Sequence, residues 1–104
     1  MSTERIRELN DAFRRTFAGG KLMMTSGVDE LPDCVKAEAL RQVARFSDFT
    51  PDNDPHGEHD FGRFTLVGRK FLWKIDLYEE PNVKDANGEP VVTRVLTIML
   101  ANEY

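Results

Sequence analysis

The chain has 104 residues, 40% of them hydrophobic and 31% charged, with 14 basic against 18 acidic side chains and a net charge of −4. This length predicts one domain over residues 1–104, burying roughly two-thirds of the surface its unfolded chain exposes, and the composition excludes disordered, fibrous and repeat classes. The acidic balance argues against direct nucleic-acid binding, which depends on neutralising phosphates.

Residues 3–18, "TERIRELNDAFRRTFA", read as an amphipathic helix. Ile6, Leu9, Phe13 and Phe17 recur at helical spacing, Thr3 can cap the start, and Gly19-Gly20 stops it. Its arginines (Arg5, Arg7, Arg14, Arg15) lie among Glu4, Glu8 and Asp11, which predicts a solvated face laced with short-range ion pairs. The same charges make the N-terminus unlike a secretory signal. "KLMMTSG" (21–27) is short and apolar, and predicts a strand.

A second helix is expected at about 33–46, started by Pro32 and Asp33, with Val35, Ala39, Val43 and Phe46 buried and Leu40 on the flank. Cys34, the only cysteine, excludes an internal disulfide and points to a reducing cytoplasm. Near a helix start it could be a reactive thiolate, but beside Val35 it reads first as a small core residue. Pro51 and Pro55 keep the following segment out of helix.

"FGRFTLV" (61–67) and "KFLWKIDLY" (70–78) flank Gly68-Arg69, which predicts a type II′ hairpin with Val67 facing Lys70. Phe64 and Leu66 then share the core face with Phe71, Trp73, Ile75 and Leu77, while Lys74, Asp76 and Tyr78 fall on the wet face. A polar loop over 79–90 precedes the last strand, 91–100, whose core face carries Val92, Leu96, Ile98, Leu100 and Arg94. Arg94 interrupts the only long apolar run, which falls far short of the ~20 residues a membrane span needs. The order α-β-α-β-β-β predicts an α+β fold: two helices packed on one face of a mainly antiparallel four-stranded sheet.

The stretch "DNDPHGEHDFG" (52–62) holds both histidines and no lysine or arginine. It begins like a calcium loop, but histidine fills the fifth position and Arg63 stands where the bidentate glutamate belongs. His56, Glu58 and His59 remain candidate ligands for a transition metal, although in extended backbone Glu58 and His59 point to opposite faces. His59 opposite Tyr78, near Asp76, would suit acid–base chemistry but lacks a nucleophile. The stronger reading is a turn built on Asp52 or Asn53, Pro55 and Gly57, with Asp60 paired to Arg94 at the sheet rim. No cofactor is expected.

"NDPHGEHDFG", "FLWKIDLY" and "TRVLTIMLANEY" together resemble a bacterial family of about 100-residue single-domain proteins labelled as a domain of unknown function. The resemblance runs from "LNDAFRRTF" to the closing "EY" and departs at His56, where an aromatic residue is expected. It implies a compact accessory protein, often carried on mobile elements, and supplies no catalytic residue. Glu58, His59, Asp60, Lys74, Asp76 and Arg94 lie in its signature blocks and are the candidate binding residues. The expectation is a cytoplasmic domain that binds a protein partner, with a homodimer through the last strand (Val91, Val95, Met99) as one form. A narrower version has acidic side chains blocking a nucleic-acid-handling host complex, and the rival is a metal-dependent hydrolase using the Glu58-His59-Asp60 loop.

Overall fold

A computed structural model describes residues 2–104. The first helix, α1, is Thr3–Thr16, and Ser2 rather than Thr3 caps it, accepting the Arg5 N–H at 3.1 Å. It stops before the glycine pair because Phe17 takes a left-handed φ of 58° and returns its N–H to Phe13. β1 is Gly20–Met24, shorter than 21–27 because Ser26–Asp29 forms a four-residue helix, α2. α3 is Asp33–Arg45, β2 Phe61–Leu66, β3 Arg69–Lys84 and β4 Pro90–Leu100, followed by a 3-10 turn at Ala101–Glu103.

The sheet order is β1-β4-β3-β2, antiparallel except that β1 runs parallel to β4. Phe71, Trp73 and Ile75 of β3 and Leu96, Ile98 and Leu100 of β4 point to one face. Phe13 of α1, Val28 of α2, and Ala39 and Val43 of α3 close over them, so the helices cover that face, as the alternation predicts. Cys34 is not part of this core: it is exposed at the second position of α3, whose buried stripe turns the other way.

The hairpin closes one residue earlier than expected. Leu66 pairs with Arg69 and Phe64 with Phe71, so the two loop residues are Val67 and Gly68, with φ of 48° and 73°. Positive φ at both positions is the type I′ pattern, whose twist matches the strands. Pairing moved by two residues, so every side chain kept its predicted face. A β-branched residue is strained at Val67, which is also exposed. Val67→Asn should therefore stabilise the fold by roughly 0.5–1 kcal/mol in urea denaturation, since Asn-Gly suits this turn.

The segment expected as a polar loop continues the ladder instead. β3 and β4 stay paired past Glu80, shift register between Glu80 and Lys84 around the donor-less Pro81, and turn at Asp85. The Asp85 carboxylate accepts the Asn87 and Glu89 N–H groups at 2.8 and 3.1 Å. At ~3.3 Å per residue, the 16 residues of β3 span about 50 Å, in keeping with the longest molecular dimension of 47 Å.

Glu103 ties the C-terminal turn to α2. Its carboxylate accepts Thr25 Oγ1 at 2.6 Å, Leu100 N at 2.9 Å and Gly27 N at 3.0 Å. The Thr25 hydroxyl, then the Leu100 N–H, hold its carboxyl below the ordinary 4.5. Stability from this depressed group is present above 4.5 and lost as the pH falls through the lower folded value. Glu103→Gln should cost about 1.5 kcal/mol at pH 7, and the gap between the two proteins in urea melts should close on acidification below that range.

Candidate functional site

The 52–62 loop leaves α3 through Phe46 and Phe49 and returns along the outside of α1. Asn53 stabilises its first turn, but backward: its Oδ1 accepts Thr50 N at 2.9 Å and its Nδ2 donates to Asp48 O at 2.9 Å. Gly57 supplies the expected left-handed φ, 66°. His59 adopts one too, 53°, which takes it out of the extended geometry assumed from the sequence.

That backbone conformation turns His59 toward the helices. Its Nδ1 lies 3.0 Å from Asp11 Oδ1 of α1, and its Nε2 lies 3.6 Å from Asp54 Oδ2. Its N–H donates to the other Asp54 oxygen at 3.2 Å. The imidazole stacks on Phe49 with centroids 3.7 Å apart and planes 3° from parallel. His59 is thus not opposite Tyr78, and the suggested set with Asp76 does not form.

Asp11 also receives Arg14 Nη2 at 3.0 Å. Arg14 is not on the solvated face where the charge pattern put it: its side chain is 3% exposed. Its Nη1 donates to Val43 O and Phe46 O, both at 2.8 Å, and to Ala44 O at 3.3 Å. These are the last carbonyls of α3, where a cation is favourable. The guanidinium also lies 5.4 and 5.3 Å from the Phe49 and Trp73 rings. Arg5–Glu8, by contrast, is the exposed ion pair expected of this helix.

A second branch begins at the buried Asn10, one turn before Arg14. Its Nδ2 donates to Glu58 O at 3.0 Å, and its Oδ1 accepts Arg94 Nε at 3.0 Å. Arg94 therefore meets Asn10, and among the described residues it makes no ion pair with Asp60. Burial pulls the Arg94 guanidinium below its usual value. Asp60 gives its backbone carbonyl to Ile75 N at 2.8 Å, and burial, then Asp54 and Asp76, push its carboxyl up. The signal for this hub was in α1: Asn10 and Arg14, four residues apart, sit in phase with Phe13 and Phe17.

The candidate binding residues thus divide. Glu58, His59 and Arg94 join a hub beneath the loop, while Lys74 and Asp76 form a 2.6 Å ion pair on the face without helices. The Asp76 bond raises the Lys74 pKa. The proposed metal ligands do not converge: His56 is exposed, and both His59 nitrogens face carboxylates already engaged with the chain. No group of three or more His, Cys, Asp or Glu side chains among the described residues is placed to hold a metal ion.

The helix-free face is the more accessible feature. Met23 of β1 and Tyr78 of β3 are 52% and 54% exposed. With Lys21, Val95 and Thr97 they line a hollow of about 490 Å³. Met99 and Leu72 on this face are buried, and Val91 and Val95 half-buried. No helix among the described residues is long and apolar enough to cross a membrane. A family model, described as "Protein of unknown function (DUF3768)", matches residues 24–103. No curated protein and no solved structure matches the chain.

Proposed function

The chain belongs to the DUF3768 family, and from that premise we propose that it is a non-enzymatic domain that binds a protein partner through the helix-free face of its sheet. The observation that carries this reading is the hollow beside Met23 and Tyr78, which leaves a methionine and a tyrosine half-exposed on a rigid sheet. These residue types are enriched where protein interfaces are anchored, and the adjacent Lys74–Asp76 pair supplies a polar rim. The 52–62 loop supports a structural role, since its conformation is consumed in joining α1, α3 and β2. It gives no support to the hydrolase alternative.

A bacterial cytoplasm and a role as a mobile-element accessory are the narrower form of this proposal. The partner would then be a nucleic-acid-handling complex, met by the acidic β3–β4 tip with Glu79, Glu80, Asp85 and Glu89. The test is a photo-crosslinking residue placed at Tyr78, and separately at Arg41 on the exposed side of α3, in cells making the protein. A discrete protein adduct from position 78, abolished by Met23→Glu and absent from position 41, is expected. Adducts from position 41 alone, or none from 78, would overturn the reading. For the narrower form, the purified partner should lose duplex DNA when this protein is added at low salt.

A further inference from the structure

We propose that the free edge of β2 captures an extended acidic segment of the partner as an added strand, with its carboxylates held by Arg63 and Lys70. This rests on the protein-partner reading above and names the chemistry of the segment that is bound.

β2 lies at the end of the sheet and pairs only with β3. The bond from Ile75 N to Asp60 O fixes which residues face inward. Antiparallel alternation then places the ladder-bonded positions at Gly62, Phe64 and Leu66. Phe61, Arg63 and Thr65 direct their N–H and C=O groups away from β3. Exposed edges of this kind are templates for strand addition unless guarded by proline, a bulge, a covering element or charged side chains. The charge at this edge is cationic, which selects against basic segments and for acidic ones. β2 contains no proline, and no register shift interrupts its pairing.

Beside this edge, on the helix-free face, Arg63, Thr65, Lys70, Leu72 and Tyr104 line a groove of about 490 Å³. Its lining contains two cationic side chains and no carboxylate side chain, in a chain whose net charge is −4. Arg63 is held with its guanidinium 5.6 Å from the Phe61 ring, and Phe61 meets Tyr104 edge-on at 6.3 Å. The groove therefore offers cations at its rim and aromatic surface at its wall. An added strand with acidic residues at alternate positions would place them over Arg63 and Lys70 while its backbone completes the ladder.

Single-stranded nucleic acid fits less well, because two cations on an acidic chain neutralise few phosphates. A second copy pairing β2 with β2 would bring the same cations together across the two-fold axis.

The probe is a displayed library of decapeptides with Glu or Asp at every second position and any residue between. A matched library carries Lys or Arg at those positions. The acidic library should enrich over the basic one by about tenfold or more, in a salt-sensitive manner. Selected peptides should lose a similar factor on the R63E/K70E protein, both sites being exposed, and on N-methylation of alternate peptide bonds. Circular dichroism of the double variant confirms that it folds. Equal enrichment of both libraries, unchanged binding to R63E/K70E, tolerance of N-methylation, or preference for an oligothymidylate would each overturn the proposal. So would a concentration-dependent dimer in light scattering that R63E/K70E alters. A crosslink from Tyr78 that persists without acidic enrichment removes this inference alone. Loss of the Tyr78 crosslink removes the broader reading.

Discussion

Arg14→Ala should cost about 4 kcal/mol of folding free energy, enough to lower the melting temperature by roughly 20 °C in a domain of this size. Truncation removes a cation that is 3% exposed and leaves the terminal carbonyls of α3 without their donor. It also leaves the half-buried Asp11 carboxylate without its guanidinium partner, with only His59 still beside it. The guanidinium's stacking over Phe49 and Trp73 is lost as well. Arg14→Lys should recover less than half of the loss, because one ammonium cannot span three carbonyls and a carboxylate. Urea denaturation of the three proteins measures both effects. A change below 1 kcal/mol for Arg14→Ala would mean that the hub is solvated rather than buried.

The second large effect is expected at Gly62. A Cβ there would run into the Trp73 indole: it would overlap Nε1 and lie 2.6 Å from Cε2 and 2.8 Å from Cζ2. Trp73 cannot step aside easily. It is fully buried, with Phe46 and Phe49 packed edge-on at 5.5 and 6.2 Å and Arg14 above it. Gly62→Ala should therefore cost about 3 kcal/mol, the upper range for overpacking. Trp73→Phe opens space at the same point, so the double variant should be more stable than the sum of the two single losses predicts. Strict additivity in the melts would show that the strand, not the indole, absorbs the added methyl.

The parts of the fold that were legible in the sequence are those fixed by local periodicity. Alternation along 61–78 assigned Phe71, Trp73 and Ile75 to the core face correctly, even though the turn closed one residue away from its expected place, but Leu77, expected with them, is 46% exposed, and Leu72, expected on the wet face, is buried. The helical stripe found Phe13, Ala39 and Val43 for the same reason. Contacts between distant segments left at most a phase signal, as for Asn10 and Arg14 on the apolar stripe of α1, and nothing that names the partner. Asn10 and Arg14 look like ordinary polar residues of a surface helix until the 52–62 loop and the end of α3 fold over them. Glu103 reads as a terminal acid, whereas its partners Thr25 and Gly27 come from the opposite part of the chain. The Asp60–Arg94 pairing failed because phase along two strands says nothing about the partner a third element, here Asn10 of α1, brings to Arg94.

The position of β4 has a consequence for how the molecule comes into being. This strand lies between β1 and β3, yet it is the last strand in chain order. During synthesis, β1 has no neighbour and the core lacks Leu96, Ile98 and Leu100 until that final stretch is available. Pairing β1 with β4 also joins Gly20–Met24 to Arg94–Ile98, with α3, β2 and β3 lying between them in the chain, which makes it a slow, late event. Until β4 is in place the domain therefore leaves an apolar face uncovered, and a chain cut short before β4 offers proteases an unfinished core rather than a smaller version of the native fold.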